Sequence, residues 1–270
     1  MSYVKPADFV TSMVDAGEAK VFMSTRDTII RGAMAGAILA IAVAVAITTI
    51  VQTGIGIVGA LVFPVGFVIL NLMGFDLVTG VFGLAPLAKL DKRRGVTWGG
   101  VLRNWGLVGL GNLIGSLAVA FLLAVSLTMN FAIEPNAVAQ KFIGVSTART
   151  LGFAEYGFNG WVTVFVRGVF CNWMVCLGVV GAMTSKSVAG KVIAMWLPIF
   201  IFFALVFEHT VVNMFLFPLG MLLGAEFTIM EWLNWNLIPT ILGNLVGGLA
   251  ITTGMLYLTH GKTKPARNAA

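Results

Sequence analysis

Six stretches of this sequence are long and apolar enough to cross a lipid bilayer, and that constrains its fold more than any other feature. A helix covers the hydrocarbon layer with about 20 predominantly apolar residues. Runs of that kind lie at 28–51, 60–86, 104–130, 161–183, 192–220 and 235–259. Each backbone amide in lipid needs an internal partner, so such runs are expected to be helices. The composition agrees: 59% of the 270 residues are hydrophobic and 10% are charged, against about 25% charged in soluble domains. No polar stretch is long enough to bury a core of its own, so residues 1–270 read as one all-α transmembrane domain. Residues 1–27 are polar and amphipathic, without the short apolar core and cleavage site of a signal peptide, and are expected to stay on the protein.

An even number of spans puts both termini on one side, and the basic residues say which. Lys5, Lys20, Arg26 and Arg31 precede or open the first span. Lys89, Lys92, Arg93, Arg94 and Arg103 surround the second loop, Lys186 and Lys191 the fourth, and Lys262, Lys264 and Arg267 the tail at 260–270. Fourteen of the 17 Lys and Arg thus share one side, leaving Lys141 and Arg149 opposite and Arg167 within the fourth span. The positive-inside rule makes that side cytoplasmic, in a cell inner (plasma) membrane. The net charge of +6 is therefore topology and does not call for a nucleic-acid partner. Trp98, Trp105 and Trp196 fall near the inner interface and Trp161, Trp232 and Trp235 near the outer one, as aromatic belts do. Cys171 and Cys176, five apart on one helix, suit neither a disulfide nor a metal clamp. They read as packing residues.

The sequence also matches itself at an offset of 132 residues. Phe75 falls on Phe207, Asp76 on Glu208, Pro86 on Pro218, Leu87 on Leu219 and Asn104 on Asn236. Gly111-Asn112-Leu113 falls on Gly243-Asn244-Leu245, Gly115 on Gly247 and Gly36 on Gly168, with no gap. A repeat unit of three spans, an odd number, sets the halves 28–130 and 160–259 upside down to one another. Inverted repeats of that kind place a site near the midplane, where they meet.

Ionisable groups inside spans are costly and point to function. Those in this chain are Asp76, Arg167, Glu208 and His209, with His260 an interfacial residue by the tail. Asp76 stands among Gly74, Thr79, Gly80 and Gly83, and Asp is a good N-cap. The expectation is a helix broken in mid-span, its second half starting after Asp76. Such an N-terminus presents free N–H groups and a positive dipole end to a small anion. Glu208 and His209 point about 100° apart on a helix. His209 is expected to line a path while Glu208 braces the break through Asn172 and Asn244. His209 and Asn213, four apart, share a face. A histidine changes charge near neutral pH and so suits passing a proton to a weak-acid anion. HExxH is absent and no second ligand accompanies His209, so neither a metal, a cofactor nor an enzymatic role is expected. Gly32/Gly36, Gly111/Gly115 and Gly243/Gly247 are spaced for close helix packing.

DLVTG at 76–80, RNW…GNLIG at 103–115, CNWMVCL at 171–177, FEHTVVNMF at 207–215 and NLIPTILGNLVGG at 236–248 resemble the formate/nitrite transporter family over all six spans. The resemblance implies a homopentamer of protomers with an aquaporin-like fold, each with its own pore, and with the second and fifth spans broken. It further implies that Leu77 and Thr79 lie in the gating break, and that Phe63, Phe67 and Phe202 join Leu77 as constrictions. His209 matches the central pore histidine, with Glu208, Asn172 and Asn244 as its polar support. The sequence departs from the family in three places. Leu205-Val206-Phe207 stands where a Gly often precedes EH. Tyr156 stands where many members have a Lys, a role open to Arg149. DLVTG mixes formate-type and nitrite-type features. The expected function is a channel-like transporter of small monovalent anions, nitrite favoured, with formate as the alternative. A neutral-solute channel of the water or glycerol type is the reading from another class.

Overall fold

In the computed structural model of the protein, residues 3–261 are described; Lys262, Lys264 and Arg267, read above as inner-side charges, lie outside them. Helix α1 (Pro6–Phe22) precedes α2 (Thr25–Thr53), which starts where the Ser24 side chain accepts from the Asp27 N–H and ends at left-handed Gly54. Then come α3 (Gly56–Val62), α4 (Pro64–Leu72), α5 (Val78–Leu90) and α6 (Trp98–Leu127). Next are α7 (Ala137–Ala148), the short α8 (Leu151–Ala154), α9 (Gly157–Met183), α10 (Val188–Ala204) and α11 (Thr210–Leu222). The last helix, Ile229–His260, is made of α12 (Ile229–Trp232), α13 (Ile238–Leu245) and α14 (Met255–His260) joined by π-helical Leu233–Leu237 and Val246–Gly254. Among the described residues there is no strand, only a single bridge between Tyr3 and Ser185.

Among the described residues four helices are long and apolar enough to cross a bilayer: Thr25–Thr53, Trp98–Leu127, Gly157–Met183 and Ile229–His260. Between them lie shorter apolar helices, Gly56–Leu72 with Val78–Leu90 and Val188–Ala204 with Thr210–Leu222. The second and fifth apolar runs are thus each two helices interrupted by five residues, 73–77 and 205–209. Every residue of α5 from Val78 to Ala88 and of α11 from Thr210 to Gly220 is buried. Interrupted backbone at such depth needs a protein sheath, and α2, α6, α9 and the last helix supply it.

Glycines set the sheath. Gly32 lies with its ideal Cβ 3.2 Å from Gly111 Cα, and Gly168 stands 3.2 Å from Gly243 Cα in the same sense. Small-residue pairs let the helix backbones approach and gain dispersion contact. α1 lies across the end of α5, burying Phe9, Val10, Met13 and Val14 against Leu84, Leu87 and Val180. Gly17 meets the Leu84 carbonyl so closely that a Cβ would overlap it. Two tryptophans assigned to the aromatic belts have other roles. Trp232 is 6% exposed and stacks on Phe217. Trp105 donates from Nε1 to the Val81 carbonyl at 2.9 Å. Cys171 and Cys176 are buried free thiols, as their spacing suggested.

Candidate functional site

The two interruptions are built alike. In the first, the chain leaves α4 through Gly74, whose φ is +73°, and re-enters helix at Val78. In the second it leaves α10 through Val206 at φ +57° and re-enters at Thr210. Gly74 and Val206 are 132 residues apart. The left-handed backbone that glycine supplies in one place is held by a β-branched residue in the other, an uncommon and costly assignment.

A buried asparagine closes each break from a neighbouring helix. Asn112 Oδ1 accepts from the Val78 N–H at 2.8 Å, while its Nδ2 donates to the carbonyls of Gly32 and Asp76. Asn244 Oδ1 accepts from the Thr210 N–H at 2.9 Å, while its Nδ2 donates to the carbonyls of Gly168 and Glu208. Each amide thus satisfies both lips of a break that would otherwise bury unpaired backbone groups. Gly168 answers to Gly32 in this pattern and not to Gly36, so the self-match needs a gap of one helical turn between the first span and the first break. Asp76 is not the N-cap of the second half-helix. Leu77 holds that position with no side-chain cap, and Asp76 Oδ1 pairs with Lys20 Nζ of α1 at 2.5 Å.

His209 is the N-cap of α11. Its Nδ1 accepts from the N–H groups of Val211 and Val212, both at 3.2 Å, and its Nε2 lies 3.2 Å from Thr79 Oγ1. A ring that accepts at Nδ1 carries its proton on Nε2 and is neutral, so Nε2 donates to Thr79. The N–H groups at the start of α11 are therefore occupied: Thr210 by Asn244, Val211 and Val212 by His209. Phe202 stacks on the imidazole with ring centroids 5.6 Å apart. Asn172 Nδ2 donates to the carbonyls of Thr79 and Asn244, tying the two breaks together from α9.

Glu208 is fully buried, but its side-chain partners differ from those expected. Oε2 accepts from Asn213 Nδ2 at 2.9 Å and Asn236 Nδ2 at 3.1 Å, and Oε1 faces Arg149 Nε at 3.4 Å. Asn244 reaches only its backbone carbonyl, and Asn172 does not bond it. Asn213 likewise belongs to this network, bonded also to Asn236 Oδ1 at 2.6 Å. Of the two residues considered for the missing lysine, Arg149 reaches the site and Tyr156 is 69% exposed.

Cavities approach the Thr79–His209 pair from both ends. On the α1 side, a cavity of about 1060 Å³ is lined by Lys5, Lys20, Lys186 and Lys191, with Asp8. A space of about 30 Å³ bounded by Phe67, Leu77 and Phe75 follows it. On the α7 side, a cavity of about 270 Å³ is lined by Lys141, Arg149 and Phe202. Phe63 is fully buried between the breaks, stacked on Phe203 and edge-on to Phe202. Asn112, Asn236 and Lys20 were not singled out as site residues from the sequence. The 132-residue register carried a signal for the first two, through Asn244 and Asn104; nothing in the sequence marked Lys20.

Broken helices that meet at a sheathed polar pair between two basic cavities define a membrane transport protein of the channel-like kind. A profile described as "Formate/nitrite transporter" matches residues 7–258, and the chain belongs to that family, one of transporters and not of enzymes. It is 38% identical over 208 residues, 74% of each chain, to a "Probable formate transporter" of Methanothermobacter thermautotrophicus. It is 29% identical over 273 residues to "Formate channel FocA" of Escherichia coli (strain K12), covering 90% of this chain and 92% of that one. Among solved structures, an "FNT family ion channel" superposes with TM-score 0.81 at 22% identity, over 93% of this chain and 98% of that. A "Pentameric formate channel with formate bound" gives 0.71 at 24% identity, over 87% and 96%.

Proposed function

We propose that the protein is a pore for small monovalent anions, with formate ahead of nitrite. The observation that carries this is the Thr79–His209 pair, two hydrogen-bond donors placed between apolar constrictions with lysine- or arginine-lined cavities at both ends. The cavities concentrate anions. Leu77, Phe67, Phe63 and Phe202 then strip water, which is expensive for a bare anion. The Thr79 hydroxyl offers a compensating hydrogen bond directly where the two half-helices meet, and Nε2–H of His209 offers a second once it turns from Thr79 Oγ1 to the anion. Placing formate first, against the nitrite preference expected from the sequence, is supported by relatives that carry the name of formate channel or transporter.

The hydrogen bonds refine the histidine's role. Full proton donation needs a second proton on Nδ1, which now accepts two backbone N–H groups that cap α11. The resting ring acts as a hydrogen-bond donor, and a complete proton transfer requires the cap to open.

The six-span reading belongs to the same proposal. Two three-span halves, inverted to one another, are supported by the matched bonds of Asn112 and Asn244 and the matched kinks at Gly74 and Val206. The α1 side is assigned to the cytoplasm from the distribution of Lys and Arg, and five protomers are proposed to assemble, as in the pentameric structural neighbour.

Uptake into liposomes holding the purified protein tests the substrate. Formate entry, with nitrite competing weakly, supports formate as the preferred anion. Preferential nitrite entry reverses the order, and glycerol-driven swelling without anion flux removes the anion reading altogether.

A further inference from the structure

The two breaks share a plan but differ in how their carboxylates are satisfied. On the α7 side, Glu208 Oε2 receives two amide donors, from Asn213 and Asn236, and Oε1 faces Arg149. Asn236 also anchors the preceding segment, through Nδ2 to the Arg149 carbonyl at 3.1 Å, and its Oδ1 accepts from Asn213. On the α1 side the same frame recurs. Asn104 Nδ2 anchors the preceding segment at the Lys20 carbonyl, 2.9 Å away, and Lys20 Nζ holds Asp76 Oδ1.

The bridge across the frame is what differs. The residue five positions after Glu208 is Asn213, whereas five after Asp76 stands Val81, which has no side-chain donor. Asp76 is also one methylene shorter than Glu208, and Asn104 Nδ2 does not reach it. Two buried acceptors are left without a protein partner: Asp76 Oδ2, in a residue 6% exposed, and Asn104 Oδ1, in a residue 1% exposed. Their α7-side counterparts, Glu208 Oε2 and Asn236 Oδ1, are the two oxygens that Asn213 Nδ2 bridges.

We propose that a single ordered water occupies the place of that amide, donating to Asp76 Oδ2 and Asn104 Oδ1. Two acceptors and no donor select a hydrogen-bond donor as the ligand. The Lys20 ammonium, already 2.5 Å from Asp76 Oδ1, repels a metal cation, and the carboxylate repels a permeating anion. A neutral donor with two hydrogens remains, in a polar site of the kind that holds conserved internal water. Position 81 then decides whether a water or an amide spans the carboxylate and the asparagine; the α7 side keeps buried acceptors of its own, Glu208 Oε1 and Asn213 Oδ1, outside that bridge. The inference rests on the correspondence of halves proposed above.

A density map of the full-length protein in lipid nanodiscs, at a resolution that shows internal waters, decides it. The expected result is a density within about 2.6–3.2 Å of both oxygens in the wild type, and its loss in D76E/V81N, which copies the α7-side side chains. Halves that superpose while the wild-type site holds no density, in a map showing other internal waters, overturn this inference and leave the inverted repeat standing. A density that persists in D76E/V81N overturns the equivalence of water and amide. If that variant does not fold, the wild-type map alone still decides whether the water is there, and N213V supplies the converse: a new density is expected beside Glu208 Oε2, and an unchanged, empty α7-side site overturns the rule.

Discussion

Val206 holds a left-handed backbone at φ +57° while 52% exposed, so its side chain contributes little packing to offset the conformation. Val206→Gly is expected to stabilise the protein by about 1 kcal/mol, the released strain exceeding the entropy cost of glycine. The thermal midpoint of the purified protein reads it, and a lower midpoint contradicts the strain. Arg149 carries the opposite sign. It is 14% exposed against a fully buried Glu208, and removing one partner of a buried pair costs about 3–5 kcal/mol. Arg149→Gln should therefore destabilise strongly. Arg149→Lys should retain part of the loss, since a lysine cannot also make the Nη2 bond to the Val206 carbonyl that the guanidinium makes at 3.3 Å. His209 was legible as the central group because a lone imidazole inside an apolar run is too costly to serve packing alone. Its cap on α11 was not, because which nitrogen accepts depends on the backbone turning at Glu208 and on Thr79 arriving from 130 residues away. Replacing His209 with Gln should flatten the pH dependence of flux; an unchanged profile removes the ring from proton handling.

At the scale of elements, the broken helices hang on two asparagines. Asn112→Ala leaves the Val78 N–H and the Asp76 carbonyl without a partner, at about 1–3 kcal/mol for each buried group left unpaired. Asn244→Ala does the same at the other break and also frees the Thr210 hydroxyl. Both variants should lower the thermal midpoint by several degrees and loosen anion selectivity. If Asn112→Ala is neutral in both assays, the first break is held by something other than this amide. The first break was readable in the sequence because Gly74 and Asp76 advertise it. The second was poorly signalled by Leu205-Val206-Phe207, and only the self-match hinted that Val206 sits where glycine does. The self-match in turn misplaced its first span by one helical turn. Glycines at i and i+4 present the same face, so sequence alone cannot tell which of the two touches the asparagine.

The whole molecule exposes much apolar surface on its helices, including Leu102, Leu122, Leu197 and Leu258. Native mass measurement of the solubilised complex is expected to give five times the 28.7 kDa of the chain; a single protomer retaining transport would show that the pore needs no neighbours.

The docking of α1 has a consequence for how the chain is made. Its apolar face rests on Leu84 and Leu87 and meets partly buried Leu256 and Tyr257 from the far end of the sequence. Tyr257 follows Phe22 by 235 residues, which at about 5–20 residues per second is about 10–50 s of synthesis. For that time the amphipathic segment has no finished cradle. A chain truncated before the last helix therefore leaves α1 without the part of its seat that Leu256 and Tyr257 form.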